Sequence, residues 1–297
     1  MRRTASVLAA TLFAAAMGVG VAGSATAKVT PPTANPHAIK TSPYVALGDS
    51  YSSAAGVAPF VATAPPTCSR SALNFAHDIA AMTKPSSFTD VTCSGARTSD
   101  FFSSQAPGVA PQLDAVTKDT RLVTMTIGGN DEGVFVNSFF GCATVSASDV
   151  TGNPCQQRYG TTFTDQITNQ TYPHLVAALT AVRKKAPAAT VVIVGYPRIL
   201  PSTGVLSCYP SMPIAMGDVP WLAHEEDVLN DAVRRAASKT GARFIDMSAS
   251  SLGHDACAPV GQRWIEPAVG PINAFPVHPN AMGEAAMAAQ TLLQLGH

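Results

Sequence analysis

Tyr44-Val45-Ala46-Leu47-Gly48-Asp49-Ser50-Tyr51-Ser52 is a run of four apolar residues that stops on a glycine and two short polar side chains. Apolar residues in succession, with no polar alternation, suit a strand covered on both faces, as in a parallel sheet. Gly48-Asp49 is a turn signal, and Asp49-Ser50 can open a helix. The same pattern recurs at Asp90-Val91-Thr92, at Leu122 to Ile127, at Val191 to Val194 and at Arg243 to Asp246. Between these runs lie segments of helical period, Ala72 to Met82, Val109 to Val116, Tyr172 to Lys185, Trp221 to Thr240 and Pro279 to Leu295. Strands alternating with helices predict right-handed crossovers and an α/β fold, a three-layer αβα sandwich around a central, mainly parallel five-stranded sheet. In such sheets a ligand lies outside the carboxyl ends of the strands, so residues there are the candidates for chemistry.

Outward from this core, the first 27 residues have the layout of a secretory signal peptide. Arg2 and Arg3 precede an Ala-, Val-, Leu- and Phe-rich run to Val21, and Ala25-Thr26-Ala27 has the small-residue cleavage pattern. Cleavage near Ala27 and secretion to the extracellular space are expected. An N-terminal membrane helix is the alternative, but the run is rich in Ala and Gly, and no later stretch approaches the roughly 18 apolar residues of a span. Stable membrane insertion is therefore not expected, and little after the paired arginines supports twin-arginine export. Residues 28–42, with Pro31, Pro32 and Pro36, form an extended lead-in, and residues 43–297 a single domain. Gly133 to Gln170 and Pro197 to Pro220 are too long for ordinary connections and are expected to be excursions over the rim of the site.

Lys plus Arg equals Asp plus Glu at 19 each, so no basic field points to nucleic acid. The six cysteines follow the export signal, and an even number in an exported protein implies disulfides. Sequential pairing is expected, Cys68 with Cys93, Cys142 with Cys155 and Cys208 with Cys257, because each bridge then closes a local excursion. No C-x-x-C spacing suggests zinc, and no metal or cofactor is expected.

Ser50 stands directly after the first strand, where its hydroxyl is presented to the ligand face. Asp49 and Ser50 can equally be only a turn and a helix cap. His278, in Phe275-Pro276-Val277-His278-Pro279-Asn280, precedes the last helix, where a helix N-terminus disfavours a protonated ring. Of the other histidines, His254 in a Cys-flanked loop is its one serious rival. Asn130, in Ile127-Gly128-Gly129-Asn130-Asp131, ends the third strand with an amide that can donate to an oxyanion. Gly95, in Ser94-Gly95-Ala96, follows the second strand and can offer a backbone N–H.

Gly48-Asp49-Ser50, Gly95, Gly128-Gly129-Asn130-Asp131 and His278 resemble, in order and spacing, the four blocks of the GDSL/SGNH hydrolases, a flavodoxin-like α/β family. The resemblance runs from Tyr44 to the final helix and extends to secreted actinomycete esterases and lipases with three disulfides. It implies Ser50 as nucleophile, His278 as base, and an oxyanion hole formed by the N–H groups of Ser50 and Gly95 with the side chain of Asn130. Relatives mostly carry an acid in Asp-x-x-His, but Phe275 stands three residues before His278. The resemblance therefore implies a Ser-His dyad in which the carbonyl of Phe275 orients the imidazole, with Asp246 and Asp255 as the alternative acids.

The expected activity is hydrolysis of carboxylic esters through an acyl-enzyme, by a monomer acting on an ester or lipid substrate. Lipid-like acyl esters are favoured because Phe135, Val136, Phe139 and Phe140 follow the Gly-Gly-Asn block, although these side chains can equally be core packing. A carbohydrate O-acetyl esterase or a phospholipase on the same scaffold is the alternative within enzymes. A non-catalytic secreted binding protein is the alternative outside them.

Overall fold

The computed structural model describes residues 42–204 and 208–297; the expected signal peptide and all but Ser42 of the expected lead-in lie outside the described residues. The apolar runs pair as β1 (Tyr44–Ala46), β2 (Phe88–Asp90), β3 (Leu122–Met125), β4 (Thr190–Val194) and β5 (Arg243–Ile245). Among the described residues they form one five-stranded sheet of order β2-β1-β3-β4-β5. Every pairing is parallel, with Tyr44 opposite both Phe88 and Leu122, Leu122 opposite Thr190 and Val192 opposite Arg243. The second strand ends at Asp90, earlier than expected. Its carboxylate there accepts from the backbone N–H and the hydroxyl of Thr92, at 2.9 and 2.7 Å, and turns the chain out of the ladder.

The helices are α1 (Ser50–Ser53), α2 (Phe75–Thr83), α3 (Val134–Ser146), α4 (Pro154–Tyr159), α5 (Thr162–Gln166), α6 (Tyr172–Lys185), α7 (Val219–Thr240) and α8 (Ala281–Leu295), with a π-helical turn at Ile167–Thr171 joining α5 to α6. Successive strand residues point to opposite faces, and the sequence fills both. Val45, Leu47, Val191 and Ile193 share one core with Leu175, Leu179 and Val182 of α6 and with Leu229, Val233 and Ala236 of α7. Tyr44, Ala46, Val192 and Val194 share the other with Phe75 and Ile79 of α2 and with Met287, Ala288 and Leu292 of α8. These two cores make the αβα sandwich. Buried Glu284 of α8 accepts from the N–H of Phe75 at 2.8 Å, which joins the two helices of the second layer.

The Val109–Val116 segment is only a 3₁₀ turn, Gln112–Ala115, because Pro111 has no N–H and Gly108 takes a φ of +80° just before it. The long segment after Gly133 is built of α3, α4 and α5. α3 buries Val134, Ser138 and Cys142 on one face, and the Cys142–Cys155 disulfide ties it to α4. The other bridges, Cys68–Cys93 and Cys208–Cys257, also follow the sequential pairing.

Glu226 of α7 is buried, with one carboxylate oxygen accepting from the N–H of Ile199 at 3.0 Å and the other without a partner. Burial pushes its pKa up to about 8, against weaker opposition from the Ile199 N–H and from Arg198. An acid with a raised folded-state pKa favours folding while protonated, so this contribution is lost as pH rises from about 4.5 to about 8. Glu226→Gln is accordingly expected to match the wild-type Tm near pH 4.5 and to exceed it above pH 8, as read by thermal melts across that range. A difference in Tm that does not change with pH is the contrary result.

Candidate active site

The strand order places a topological switch between β1 and β3, where chain connections leave the sheet in opposite directions and a crevice opens at the carboxyl ends. Ser50 sits there as the first residue of α1, 6% exposed. Three contacts hold its turn. Gly48 has a φ of +123°, and a Cβ there would come within 2.4 Å of the Thr126 carbonyl, so only glycine fits. Gln112 clasps both main-chain groups of Gly48, accepting from its N–H at 2.7 Å and donating to its carbonyl at 2.9 Å. Asp49 caps α1 through the N–H of Tyr51, at 3.0 Å.

The carboxylate of Asp49 does more than cap. Thr126 Oγ1 donates to one oxygen at 2.6 Å, and Tyr196 Oη donates to the other at 2.5 Å. The Tyr196 hydroxyl in turn accepts from the N–H of Gly129 at 2.9 Å. One buried carboxylate thereby fixes the ends of β1, β3 and β4 relative to one another. Burial raises its pKa to about 6, and the hydrogen bonds from Thr126, Tyr196, Tyr51 and Ser52 oppose that rise.

Gly95 lies in a turn held from three sides. The Cys68–Cys93 disulfide precedes it, the Cys93 N–H donates to Gly48 O at 3.0 Å, and Gln105 Nε2 donates to Ser94 O at 2.7 Å. Asn130 reaches this turn, because its Nδ2 donates to Ala96 O at 3.0 Å. An amide nitrogen carries two hydrogens, so this bond sets the side-chain orientation and leaves one N–H for another acceptor. The neighbouring Asp131 accepts from the N–H and Oγ1 of Thr98 at 2.9 and 2.6 Å. Beside it His174 Nδ1 lies 3.0 Å from Glu132, and ligand atoms of Asp131, Glu132 and His174 fall within 4.8 Å of one another.

The segment carrying His278 docks on α1 and its exit. Phe275 N–H donates to Ala55 O at 3.0 Å, Tyr51 Oη donates to Val277 O at 2.7 Å, and the rings of Tyr51 and His278 have centroids 5.3 Å apart. His278 therefore lies over the residue that follows Ser50. Its Nδ1 lies 2.7 Å from the carbonyl oxygen of Pro276, not of Phe275 as the sequence suggested. The Phe275 carbonyl instead accepts from the backbone N–H of His278 at 3.2 Å, closing a turn with Pro276 second and Val277, at φ +63°, third. This is the pattern of a type II turn, which uses its first carbonyl internally and leaves the middle one free for the ring. Removal of the half-buried ring from water lowers the pKa of His278 below the usual 6.5, and the Pro276 carbonyl partly restores it. The last helix begins at Ala281 rather than at Pro279, and Asn280 caps it by accepting from the N–H groups of Met282 and Gly283.

The rival residues are engaged elsewhere. The ring of His254 stacks on Trp264 at 4.2 Å, with Nδ1 on Gln262 O. Asp246 accepts from the Ser248 N–H and Asp255 from the Cys257 N–H; neither bonds to His278. The aromatic run divides between its two readings. Phe135 and Phe139 pack against the core, with Phe135 edge-on to Tyr51, while Val136 and Phe140 are exposed. Sequence reasoning missed Gln112, Tyr196 and Pro276. Only the turn-prone Pro276-Val277 pair beside His278 carried a local signal.

A sheet with Ser50, Gly95 and Asn130 at three adjacent strand ends, and a histidine loop docked on α1, defines an SGNH-type hydrolase fold. Residues 46–286 match the GDSL-like lipase/acylhydrolase family, and the chain belongs to it; it is a carboxylic ester hydrolase. Lipase 2 of Streptomyces coelicolor is 48% identical over 297 residues, 100% of this chain and 98% of that protein. Among solved structures, phospholipase A1 from Streptomyces albidoflavus superimposes with a TM-score of 0.70 at 30% identity, covering 86% of this chain and 98% of that one. The extracellular lipase from Streptomyces rimosus gives 0.69 at 29% identity, covering 86% and 100%.

The conformational constraint at Gly48 is directly measurable. Gly48→Ala places a Cβ against the Thr126 carbonyl in a left-handed conformation and is expected to cost about 1–3 kcal/mol in urea unfolding. Gly253→Ala also has positive φ, but its Cβ meets open space, so its cost is expected to be the smaller.

Proposed function

We propose that this protein is a secreted, monomeric esterase or lipase that hydrolyses lipid-like acyl esters with Ser50 as nucleophile and His278 as base. The observation that carries the reading is the seating of the His278 loop on α1, through Tyr51 Oη to Val277 O and Phe275 N–H to Ala55 O, which brings the imidazole beside the serine turn. With Nδ1 donating to Pro276 O, the tautomer leaves Nε2 free to take a proton. A backbone carbonyl then does the orienting work that an aspartate does in a triad, which makes the pair a dyad.

In the proposed sequence Ser50 Oγ attacks the ester carbonyl as its proton passes to His278. The free N–H of Asn130 and the backbone N–H groups of Ser50 and Gly95 stabilise the tetrahedral oxyanion. The imidazolium returns its proton to the leaving alkoxide, and water then releases the acyl group by the same path in reverse. A neutral imidazole at pH 7 is consistent with the lowered pKa of His278. The lipid preference rests on the lipase and phospholipase names of the relatives and on exposed Val136 and Phe140 after the Asn130 block. Phospholipid hydrolysis is a second reading, favoured by the match to phospholipase A1. Secretion rests on the three disulfides, on the extracellular lipase among the relatives and on the signal-like first 27 residues.

Ser50→Ala is expected to abolish both fluorophosphonate labelling and hydrolysis of p-nitrophenyl esters, and Asn130→Ala to lower kcat by roughly a hundredfold to a thousandfold. Wild-type turnover by Ser50→Ala overturns the assignment. Because the base must be neutral, kcat/KM is expected to hold at neutral pH and to fall through an acidic limb lying below the ordinary histidine value of 6.5. A limb above that value contradicts the burial of the ring. Product analysis on triglyceride, phospholipid and acetylated xylan separates lipase, phospholipase and O-acetyl esterase.

A further inference from the structure

We propose that Glu266 is a positioning residue for His278, acting through the loop that presents the ring; the proposal rests on the reading of His278 as the base. Glu266 is 1% exposed and touches the His278 segment with every polar group it has. Its backbone N–H donates to His278 O at 2.9 Å, and its carbonyl accepts from Val277 N–H at 3.0 Å, beside an antiparallel bridge between Ile265 and Pro279. Its carboxylate spans the neck of the loop. One oxygen accepts from Asn280 Nδ2 at 3.1 Å, and the other from Ile272 N–H at 3.0 Å and Arg263 Nη2 at 2.6 Å.

Residues 272 and 280 bracket the turn that holds Pro276 and His278, so one side chain ties the start of this loop to its end. The three side-chain partners are all donors, and Arg263 supplies the balancing charge inside the protein. Nothing but an acceptor with two oxygens satisfies them together. The Pro276 carbonyl that meets Nδ1 stands within the clasped segment and has no hydrogen bond to the sheet. Its aim at the ring therefore depends on the neck being closed. Releasing the neck lets the Pro276 carbonyl drift from Nδ1, and both the tautomer and the seating of the ring against Tyr51 become poorly defined.

Glu266→Gln keeps the shape but turns an amide N–H₂ toward donors. It is expected to lower kcat by about tenfold to a hundredfold while leaving KM within about twofold, because misplacing a reacting group costs rate rather than binding. Two further readouts distinguish positioning from bulk destabilisation. ¹⁵N NMR of labelled histidine is expected to show His278 held as the Nδ1–H tautomer in the wild type and as a mixture in the variant. The acidic limb of kcat/KM is expected to move with it.

Asn280→Ser retains a good helix-capping residue and the Arg263–Glu266 pair but removes the Nδ2 arm of the clasp. It is expected to show the same changes at smaller size, and it serves if Glu266→Gln does not fold. A folded variant with wild-type kcat and tautomer overturns the proposal. So does a loss of kcat that leaves the His278 tautomer and the acidic limb unchanged, which marks a purely structural residue. The tautomer comparison needs no turnover. If the wild type neither reacts with the fluorophosphonate nor hydrolyses esters, the assignment of Ser50 and His278 to ester hydrolysis fails, while the NMR still decides the role of Glu266.

Discussion

The site depends on one buried carboxylate. Asp49 sits at the end of the first strand, where it cannot be solvated, and its two oxygens are shared among the hydroxyls of Thr126 and Tyr196 and the N–H of Tyr51. Through Tyr196 it also governs the N–H of Gly129, one residue before Asn130. A charged or partly charged group held this way is costly to move, because any displacement leaves a donor or an acceptor unpaired in the interior. The relative positions of Ser50 and Asn130 are thus set by a polar network beneath them, and the flanking loops have little freedom to alter them.

A second principle is the use of main-chain groups where side chains are more usual. Gln112 grips Gly48 by its peptide groups, Asn130 anchors on the Ala96 carbonyl, and His278 is met by the Pro276 carbonyl. Peptide groups are placed by the fold itself, so precision in these contacts comes from turn geometry. A carbonyl dipole supports an imidazolium less strongly than a carboxylate does, and the lowered pKa of His278 agrees with a ring that receives only that weaker support. The contacts of Tyr51, Ala55 and Glu266 pack the histidine loop rigidly around that carbonyl.

Much of the architecture was legible from residue order. Uninterrupted apolar runs such as Val191 to Val194 have a single stable role, since both faces need covering, and the 3.6-residue spacing of Leu175, Leu179 and Val182 supplies one of the covers. The errors fell where local pattern competes with context. Val109 to Val116 has helical spacing, yet Pro111 limits it to one turn. The excursion expected after Gly133 carried no clear period, and its helices form because Val134 and Cys142 find a core and Cys142 a disulfide partner.

By itself the sequence determined the sheet, the serine at its first strand end and the pairing of cysteines that lie close along the chain, because each follows from short-range pattern. It also determined that no acid stands three residues before His278. Which carbonyl meets the His278 ring was decided by tertiary structure. The φ of +63° at Val277 is adopted only because Tyr51, 226 residues away in sequence, holds the Val277 carbonyl and Glu266 holds its N–H. Contacts at that range leave no periodicity in the chain, and the choice between Phe275 and Pro276 was therefore made by packing.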